Sequence, residues 1–433
     1  MSRSDFPSGR RPGMAAVAVV GALLLFVSAG VVLWGGGPPS SPGTAGALRD
    51  YSSEPAPAWS ISDADLPDYG TGPVALADSD GDDWLLSYPN GLGRSIVLLD
   101  GRSGVQRWPA PVDVGLGDCA INTARQVGCA IKLGKRPDGF YVIDQDGTPQ
   151  PAGALDDTVS VTAVGINFLR ITQGGRLASL RTPTGRTVWN RIFSAAATAS
   201  VIDDILTVTS ADGRGFVLDP ENGHDILSCA QCDLRVYPQG VLAVRTASGS
   251  QRVEIYPRTG VARAVSGQSV RTAESMTVLS GAAILPVLTG VGPTQIMAAS
   301  GHYEVVDPTT GEGRWNLVDP ELSKVHTRPC GTLVAVAMKD RTRRFFTLAD
   351  GAELGTLPAP EAGDPNGKLD VMSCVGSHAT TAVFASGDTL SAINAETGTI
   401  AWNREIAGPV LNVNGYIALI QGSELIVLQP TTT

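Results

Sequence analysis

The sequence has few of the residues on which nucleic-acid and metal sites usually depend. Among 433 residues there are only five lysines and four histidines, and the formal net charge is −10. This charge excludes nucleic acid and anionic lipid as the main partner, because both attract cationic surfaces. The histidines at 224, 302, 326 and 378 are isolated and predict no paired metal ligands. The preference for arginine over lysine is typical of GC-rich bacterial genomes and indicates an actinobacterial source.

Long hydrophobic runs are also missing, with one exception near the amino terminus. Residues 14–34, MAAVAVVGALLLFVSAGVVLW, carry no charge and follow a segment with three arginines. Twenty-one helical residues span about 30 Å, the thickness of a bilayer core. We therefore predict a cytoplasmic segment at 1–13, a transmembrane helix at 14–35 and an extracytoplasmic main body in the cell envelope. The alternative is a cleaved signal peptide, with VSA at 27–29 as the cleavage site.

The residues after the apolar run are poor in side chains that could form a core. Residues 36–56 are rich in Gly, Pro, Ser and Ala and predict a flexible linker, so the folded domain is expected at 57–430. Outside the cytoplasm the six cysteines can form disulfides. Their order favours the pairs Cys119–Cys129, Cys229–Cys232 and Cys330–Cys374 among 15 pairings. For the CxxC at 229–232, a redox or metal role is the alternative.

A short motif with a glycine and a tryptophan recurs along the chain. Four copies place Trp four residues after a turn Gly: DGRSGVQRW (100–108), RTPTGRTVW (181–189), DPTTGEGRW (307–315) and NAETGTIAW (394–402). Four weaker copies keep the Gly without the Trp, at 144–150, 219–227, 256–264 and 349–355. The glycines recur at intervals of 37 to 51 residues. A period near 40 with strand-like content is typical of a propeller or a β-solenoid.

Each repeat reads as four short strands joined by tight turns, which is one propeller blade. The glycine allows positive φ where the third strand turns into the fourth. Eight glycine turns plus a composite last unit make nine units. We favour eight blades, with one degenerate unit, over seven or nine. PAWSIS at 57–62 is expected to supply the fourth strand of the last blade and so to close the ring.

The repeat resembles that of the pyrroloquinoline-quinone-like β-propeller family over residues 57–430. That family includes quinoprotein alcohol dehydrogenases and the propeller lipoprotein of the outer-membrane assembly machinery. The resemblance implies that Trp108, Trp189, Trp315 and Trp402 dock neighbouring blades, where a large ring can also bury on the order of 200 Å². The quinone enzymes have a disulfide between adjacent cysteines, which this sequence lacks. The resemblance therefore indicates fold more strongly than function.

The densest acidic stretch is DSDGDDW at 78–84. Alternating Asp78, Asp80 and Asp82 resemble a short Ca²⁺ loop, whereas a solvated hairpin turn between two strands is the simpler interpretation. A second irregularity is the long unit at 264–311, which predicts an extra loop near 287–300. We expect a non-enzymatic scaffold, without catalytic residues or a cofactor, that binds envelope or membrane proteins. The alternative is a quinone-, metal- or small-ligand-binding propeller that uses the central channel, like the quinoprotein oxidoreductases.

Overall fold

The computed structural model describes residues 46–247, 250–259, 264–291, 298–319, 321–322, 327–361 and 372–431. These residues form 37 β-strands and one 3₁₀ helix, Asp63–Asp65. Within them no helix has the length and apolar character needed to cross a bilayer. The predicted transmembrane helix at 14–35 and the linker residues 36–45 lie outside the described part of the chain.

The strands form nine separate antiparallel sheets. The fold is thus an all-β propeller of four-stranded blades, as predicted, but our preference for eight blades is wrong. The reason is that even weak repeats form a sheet of their own. The weak copy at 144–150, for example, is followed by a fourth strand of only three residues, Pro149–Pro151, which still pairs with the third strand.

Blades are numbered from the first sheet that is formed by consecutive strands. Blade 1 consists of β2 (Ala75–Asp80), β3 (Asp83–Asn90), β4 (Gly93–Asp100) and β5 (Val112–Gly115). Blade 2 consists of β6 (Cys119–Ile121), β7 (Val127–Ile131), β8 (Gly139–Ile143) and β9 (Pro149–Pro151). Blade 3 consists of β10 (Ser160–Val164), β11 (Asn167–Thr172), β12 (Leu177–Arg181) and β13 (Thr187–Ile192). Blade 4 consists of β14 (Ala197–Ile202), β15 (Ile205–Ser210), β16 (Arg214–Leu218) and β17 (Asp225–Ala230).

Blade 5 has a divided outer edge, in which two short strands pair with the third strand. It consists of β18 (Cys232–Tyr237), β19 (Gly240–Ala247), β20 (Ser250–Thr259), β21 (Ala264–Val265) and β22 (Arg271–Glu274). Blade 6 consists of β23 (Met276–Val278), β24 (Val287–Val291), β25 (Ala298–Val306) and β26 (Gly313–Val318). Much of the extra loop predicted near 287–300 is therefore strand, and residues 292–297 lie outside the described residues.

The remaining blades complete the ring. Blade 7 consists of β27 (Arg328–Cys330), β28 (Leu333–Ala337), β29 (Arg343–Thr347) and β30 (Glu353–Leu357). Blade 8 consists of β31 (Ser373–His378), β32 (Thr381–Ala385), β33 (Thr389–Asn394) and β34 (Thr399–Glu405). Blade 9 consists of β35 (Val410–Val413), β36 (Tyr416–Gln421), β37 (Glu424–Leu428) and β1 (Pro57–Ile61).

The turn in blade 8 shows how the repeat motif folds. The side chain of Asn394 accepts hydrogen bonds from the backbone N–H groups of Glu396 and Thr397, both at 3.0 Å. Gly398 then adopts a φ of +64°, which costs glycine little and other residues more. The sequence motif is thus the hairpin between the third and fourth strands of a blade.

The first strand of each blade faces the axis of the ring. First strands of successive blades contact one another, as β2 contacts β6 and β6 contacts β10. Because strands alternate in direction, the turns divide between two faces. We call proximal the face with the first-to-second and third-to-fourth turns. The distal face holds the second-to-third turns and the links between blades.

Ring closure uses both ends of the described chain. Strand β1 pairs antiparallel with β37, as the sequence predicted. The preceding residues 46–56, which we assigned to the flexible linker, also contact the ring. Leu48 N–H donates to the Ser377 carbonyl at 2.9 Å, and Arg49 N–H donates to the Gly415 carbonyl at 2.9 Å. The hydrogen-bonded body therefore starts by Gly46, ahead of the predicted boundary at 57.

Tryptophans on the outer side fasten one blade to the turn of the next. Indole N–H groups donate to turn carbonyls from Trp59 to Gly101 (3.1 Å), from Trp189 to Pro220 (3.0 Å) and from Trp315 to Leu348 (3.0 Å). The rings lie against the turn glycines, so that a Cβ on Gly223 would sit 2.6 Å from the Trp189 ring. These indoles act as the docking residues that the resemblance implied, and Trp59 is one that the sequence analysis did not name.

Trp108 docks differently from the other tryptophans. It lies between β4 and β5 instead of on the fourth strand, because Pro109 and Pro111 follow it and cannot donate to a sheet. Its side chain is nonetheless buried and packs against Gly147 in the next blade. The predicted strand position is wrong for this residue, whereas its contact with the next blade matches the expectation.

Candidate interaction surface

The three disulfides have the predicted pairing. Cys119–Cys129 joins directly paired residues of β6 and β7 within blade 2. Cys229–Cys232 connects the last strand of blade 4 to the first strand of blade 5. Cys330–Cys374 joins the first strands of blades 7 and 8. Two of the three bonds therefore connect neighbouring blades, and no cysteine of the described residues is a free thiol.

Other polar groups connect the first strands, or residues directly beside them, at six of the seven remaining junctions. The Asp78 carboxylate accepts the Ile121 N–H at 2.8 Å, and the Asp118 carboxylate accepts the Val161 N–H at 2.8 Å. Equivalent bonds run between the following blades: Thr162 to the Ala199 carbonyl (3.3 Å), Arg235 to the Val278 carbonyl (2.9 Å), Asn412 to the Val375 carbonyl (3.3 Å) and Asn414 to the Gly81 carbonyl (2.7 Å). Polar and charged side chains on or beside the inner strands thus form hydrogen bonds that connect neighbouring blades.

The acidic turn at 78–84 illustrates this use of charged groups. Besides the bond to Ile121, Asp78 accepts the Ser79 N–H at 2.8 Å, and Asp82 pairs with Arg102 at 2.9 Å. A Ca²⁺ ion needs six to eight converging oxygens. Among the described residues no group of three or more His, Cys, Asp or Glu side chains is placed to hold a metal ion. Asp78 and Asp82 are thus engaged by groups of the protein, and Ca²⁺ binding by Asp78, Asp80 and Asp82 stays a prediction.

The neighbouring Asp83 is buried in an ion-pair network. Its carboxylate lies 2.7 Å from Arg107 and 2.6 Å from Arg125, and Arg107 also pairs with Asp100 at 2.7 Å. Hydrogen bonds from Arg102 and Arg107 contribute to a pKa of Asp100 below its usual value, although burial opposes them. Buried carboxylates need such partners, because an unpaired charge is costly away from water. The carboxylates of Asp83 and Asp100 therefore serve as ion-pair partners that stabilise the fold.

The net pKa shift has the opposite sign for two carboxyls on or beside the inner strands, because burial outweighs their hydrogen bonds. Burial raises the pKa of Asp78 to about 6, against hydrogen bonds from Ile121 and Ser79 that lower it. Burial likewise raises the pKa of Asp118 to about 7, and the charge of Asp78 adds to this shift. A raised pKa in a cleft is a sign of a functional group only when the geometry supports one. Here both carboxylates accept backbone N–H groups of the next blade.

A different feature stands out on the distal face. Four loops of blades 1 and 2 each expose a leucine, with exposed fractions of 103% for Leu92, 53% for Leu116, 72% for Leu133 and 41% for Leu155. Leu92 and Leu133 lie in second-to-third turns, and Leu116 and Leu155 lie in the links to the next blade. We call these four residues the leucine row. Single exposed leucines are common, but neighbouring ones often mark a binding site.

Close contacts between the loops bring three of the leucines together, Leu92, Leu116 and Leu133. Leu116 N–H donates to the Lys132 carbonyl at 2.7 Å, directly before Leu133. Gly93, next to Leu92, packs on Gly115, next to Leu116, so closely that a Cβ would lie 2.6 Å from the Gly115 Cα. A larger residue at Gly93 would force the loops apart. The row is therefore built on adjoining loops, and glycines permit their approach.

The turn that carries Leu133 is also basic. Residues 132–138, KLGKRPD, hold three basic side chains and one acidic one, on a chain with net charge −10. We call these residues the basic turn. Lys132 pairs with Asp138 at 2.5 Å, whereas Lys135 is 72% exposed and lies 3.9 Å from Asp68. Asp113 accepts the N–H groups of Gly115 and Lys135, which fixes the turn against the adjacent link.

This surface was not predicted from the sequence. The sequence feature that could have indicated it is a leucine next to a glycine, which occurs in three loops, NGLGRS, VGLGDC and KLGKRP. Apolar residues in a repeat are first assigned to strands, and only the turn positions show that these leucines point away from the core. Trp59 was missed because no turn glycine precedes it, since its strand β1 pairs with β37 from the opposite end of the described chain.

Comparisons with known proteins agree on no family. No protein-family model matches the sequence, and no curated protein matches it. Among solved structures, the chain is similar to the computationally designed Ika8 protein (13% identity, covering 84% of this chain and 98% of that one, TM-score 0.41). It is also similar to BamB from Moraxella catarrhalis (14%, 87% and 99%, TM-score 0.31) and to the Dos1 propeller (10%, 89% and 97%, TM-score 0.43). At these values no function is transferred.

Proposed function

We propose that this protein is a membrane-tethered, extracytoplasmic β-propeller that acts as a non-enzymatic scaffold for envelope or membrane proteins. The observation that carries the proposal is the leucine row, which exposes four leucines on distal loops of blades 1 and 2. The contacts between blades hold the loops in fixed positions, and rigid surfaces lose less entropy on binding. Loops on such a scaffold are the usual place for recognition.

The apolar run at 14–34, preceded by arginines, supports the tether, and three disulfides suit an oxidising compartment. Membranes of the producing bacterium washed with alkaline carbonate should retain the full chain. In intact spheroplasts, a carboxy-terminal tag should be cleaved by added protease, while a tag before Met1 should be protected. Release by carbonate would contradict the tether, and protection of the carboxy-terminal tag would contradict the orientation.

The scaffold role is tested separately from the tether. A photo-crosslinking amino acid placed at exposed positions around the ring should give discrete protein adducts in the envelope at one or more of them. Suitable positions are 92, 105, 133, 188 and 318. Metal analysis and the visible spectrum of the purified full chain provide the second measurement. A stoichiometric metal or chromophore, or protein adducts at none of the positions, would contradict the scaffold and favour the ligand-binding alternative.

A further inference from the structure

We propose that the leucine row and the basic turn together bind a segment of a partner protein that carries apolar and acidic side chains, on the distal face of the ring. This inference rests on the proposed function and specifies the side of the ring and the chemistry of the partner.

The position of the amino-terminal segment distinguishes the two faces. Residues 46–49 run along the first turns of blades 8 and 9, where Ala47 pairs with Ser377 and Arg49 N–H donates to Gly415. These turns belong to the proximal face and lie next to the inner strands.

The leucine row lies on the opposite face. Leu92 follows β3, which starts at the proximal turn Gly81–Asp82 and runs to the distal face. Leu116 and Leu133 are reached in the same way through β5 and β7. The leucine row and residues 46–49 therefore lie on opposite faces of the ring.

The charges near the row favour an acidic protein segment over an anionic bilayer. The basic turn offers Lys135 and Arg136 as exposed cations beside Leu133. However, carboxylates also line the distal loops at Asp68, Asp113 and Asp138. A bilayer surface covers all these loops at once and would meet the carboxylates. A narrow polypeptide can place acidic residues on the basic turn and apolar residues on the leucines.

Defined peptides test the chemistry of the partner. Three fluorescent peptides of equal length are titrated onto the full chain in detergent: alternating Leu and Glu, alternating Leu and Lys, and alternating Ser and Glu. The Leu/Glu peptide should bind at least tenfold more tightly than either control, because both apolar burial and charge pairing are needed. Equal binding of all three, or preference for Leu/Lys, would overturn the proposal.

Variants locate the binding surface. Leu92→Ser/Leu133→Ser and Lys135→Glu/Arg136→Glu should each weaken binding of the Leu/Glu peptide at least tenfold. The matched control is Ile166→Ser, which removes a similarly exposed apolar side chain (61%) from a proximal turn and should leave affinity unchanged. All the altered side chains are exposed, and thermal unfolding confirms that each variant folds. Equal loss with Ile166→Ser would overturn the assignment.

Photo-crosslinking in the native envelope decides between protein and lipid. A crosslinker at 133 should give a discrete protein adduct whose yield falls at least fivefold with Lys135→Glu/Arg136→Glu, and a crosslinker at 166 should not give that adduct. Lipid adducts at 133 would overturn the proposal in favour of membrane binding. Protein adducts at 105, 188 or 318 but not at 92 or 133 would overturn this surface and leave the scaffold function standing. Protein adducts at no position would contradict both.

Discussion

Trp402 donates its indole N–H to the backbone carbonyl of Tyr51 at 2.8 Å, although the two residues are 351 positions apart in the chain. In other blades the acceptor belongs to the turn before a fourth strand. Blade 9 has no such turn, because its third and fourth strands come from opposite ends of the described chain. The backbone around Tyr51 takes the place of the missing turn.

The Tyr51 hydroxyl provides a direct test of this closure. It donates to the Leu428 carbonyl and accepts from the Ile417 N–H, both at 3.0 Å, in a buried position. Tyr51→Phe should lower the free energy of unfolding by about 2 to 4 kcal/mol, since two buried backbone groups lose their partner. Thermal and denaturant unfolding measure the effect. Tyr69→Phe is the control, because the half-buried Tyr69 keeps its ring packing and its hydroxyl donates to the exposed Gly72 carbonyl, so the loss should be under about 1 kcal/mol. An equal loss in both variants would argue against the closure.

A glycine substitution tests docking by tryptophan. Gly223 has a φ of +74°, and a Cβ there would lie 2.6 Å from the Trp189 ring, whereas Gly174 has a φ of +63° with nothing within 4 Å. Gly174→Ala should cost about 1 kcal/mol from backbone strain alone. Gly223→Ala should cost about 1 to 3 kcal/mol more, because the indole must move. Similar melting temperatures for the two variants would show that the indole contact is dispensable.

Disulfide removal should have unequal effects. Cys330–Cys374 closes a loop of 44 residues between two blades, and Cys119–Cys129 closes one of 10 residues within a blade. In the chain-entropy model these bonds stabilise the fold by about 4 and about 3 kcal/mol, respectively. Cys330→Ser/Cys374→Ser should therefore melt at the lower temperature of the two double variants. The reverse order would indicate that local strand pairing outweighs the blade-to-blade connection.

Asp78 and Asp118 should make stability depend on pH. Their pKa values are raised to about 6 and about 7 by burial, so the folded chain holds protons that the unfolded chain has released above pH ~4. The free energy of unfolding should fall as pH rises from about 4 to 7, on the order of 1 kcal/mol per pH unit, and level off above. Carboxyls with lowered pKa values, such as Asp100 and Asp138, titrate below this window.

The variant Asp78→Asn/Asp118→Asn isolates this contribution. An amide oxygen can still accept the N–H groups of Ile121 and Val161, but it does not titrate. Denaturant unfolding at several pH values should show a smaller slope for the variant than for the natural chain between pH 5 and 7. If the two slopes agree, groups other than Asp78 and Asp118 cause the pH dependence.

Much of the architecture was predictable because each repeat carries the residues that form its own hairpin. A turn glycine such as Gly398 marks the hairpin between the third and fourth strands, and the number of such turns indicates the number of blades. Even so, the literal count of nine was correct and the preference for eight was wrong, since a sheet with the short strand Pro149–Pro151 is still a blade. The disulfide pairs followed sequence order, because Cys119 and Cys129 are cross-strand neighbours in one blade.

The interaction surface was not predictable in this way. Whether Leu133 is core or surface depends on where β7 ends, and a shift of one residue reverses the direction of a side chain. The neighbourhood of Leu116 and Lys132 arises from packing between blades, which a single repeat does not encode. The role of residues 46–56 was hidden for a similar reason, because they follow a stretch rich in Gly, Pro and Ser and resemble the rest of a linker until their partners are known.

The pairing of β1 with β37 also sets an order of events during synthesis. At about 5 to 20 residues per second, the chain from Trp59 to Leu428 takes roughly 20 to 75 seconds to emerge. Throughout that time Tyr51 and Trp59 have been made, but the strands of blade 9 that receive them have not. Until then, the blades already made form an open arc in which the sheet edges at both ends are unpaired. A chain that stops before Tyr416 would never leave that state, so premature termination should produce a substrate for proteases and chaperones instead of a smaller propeller.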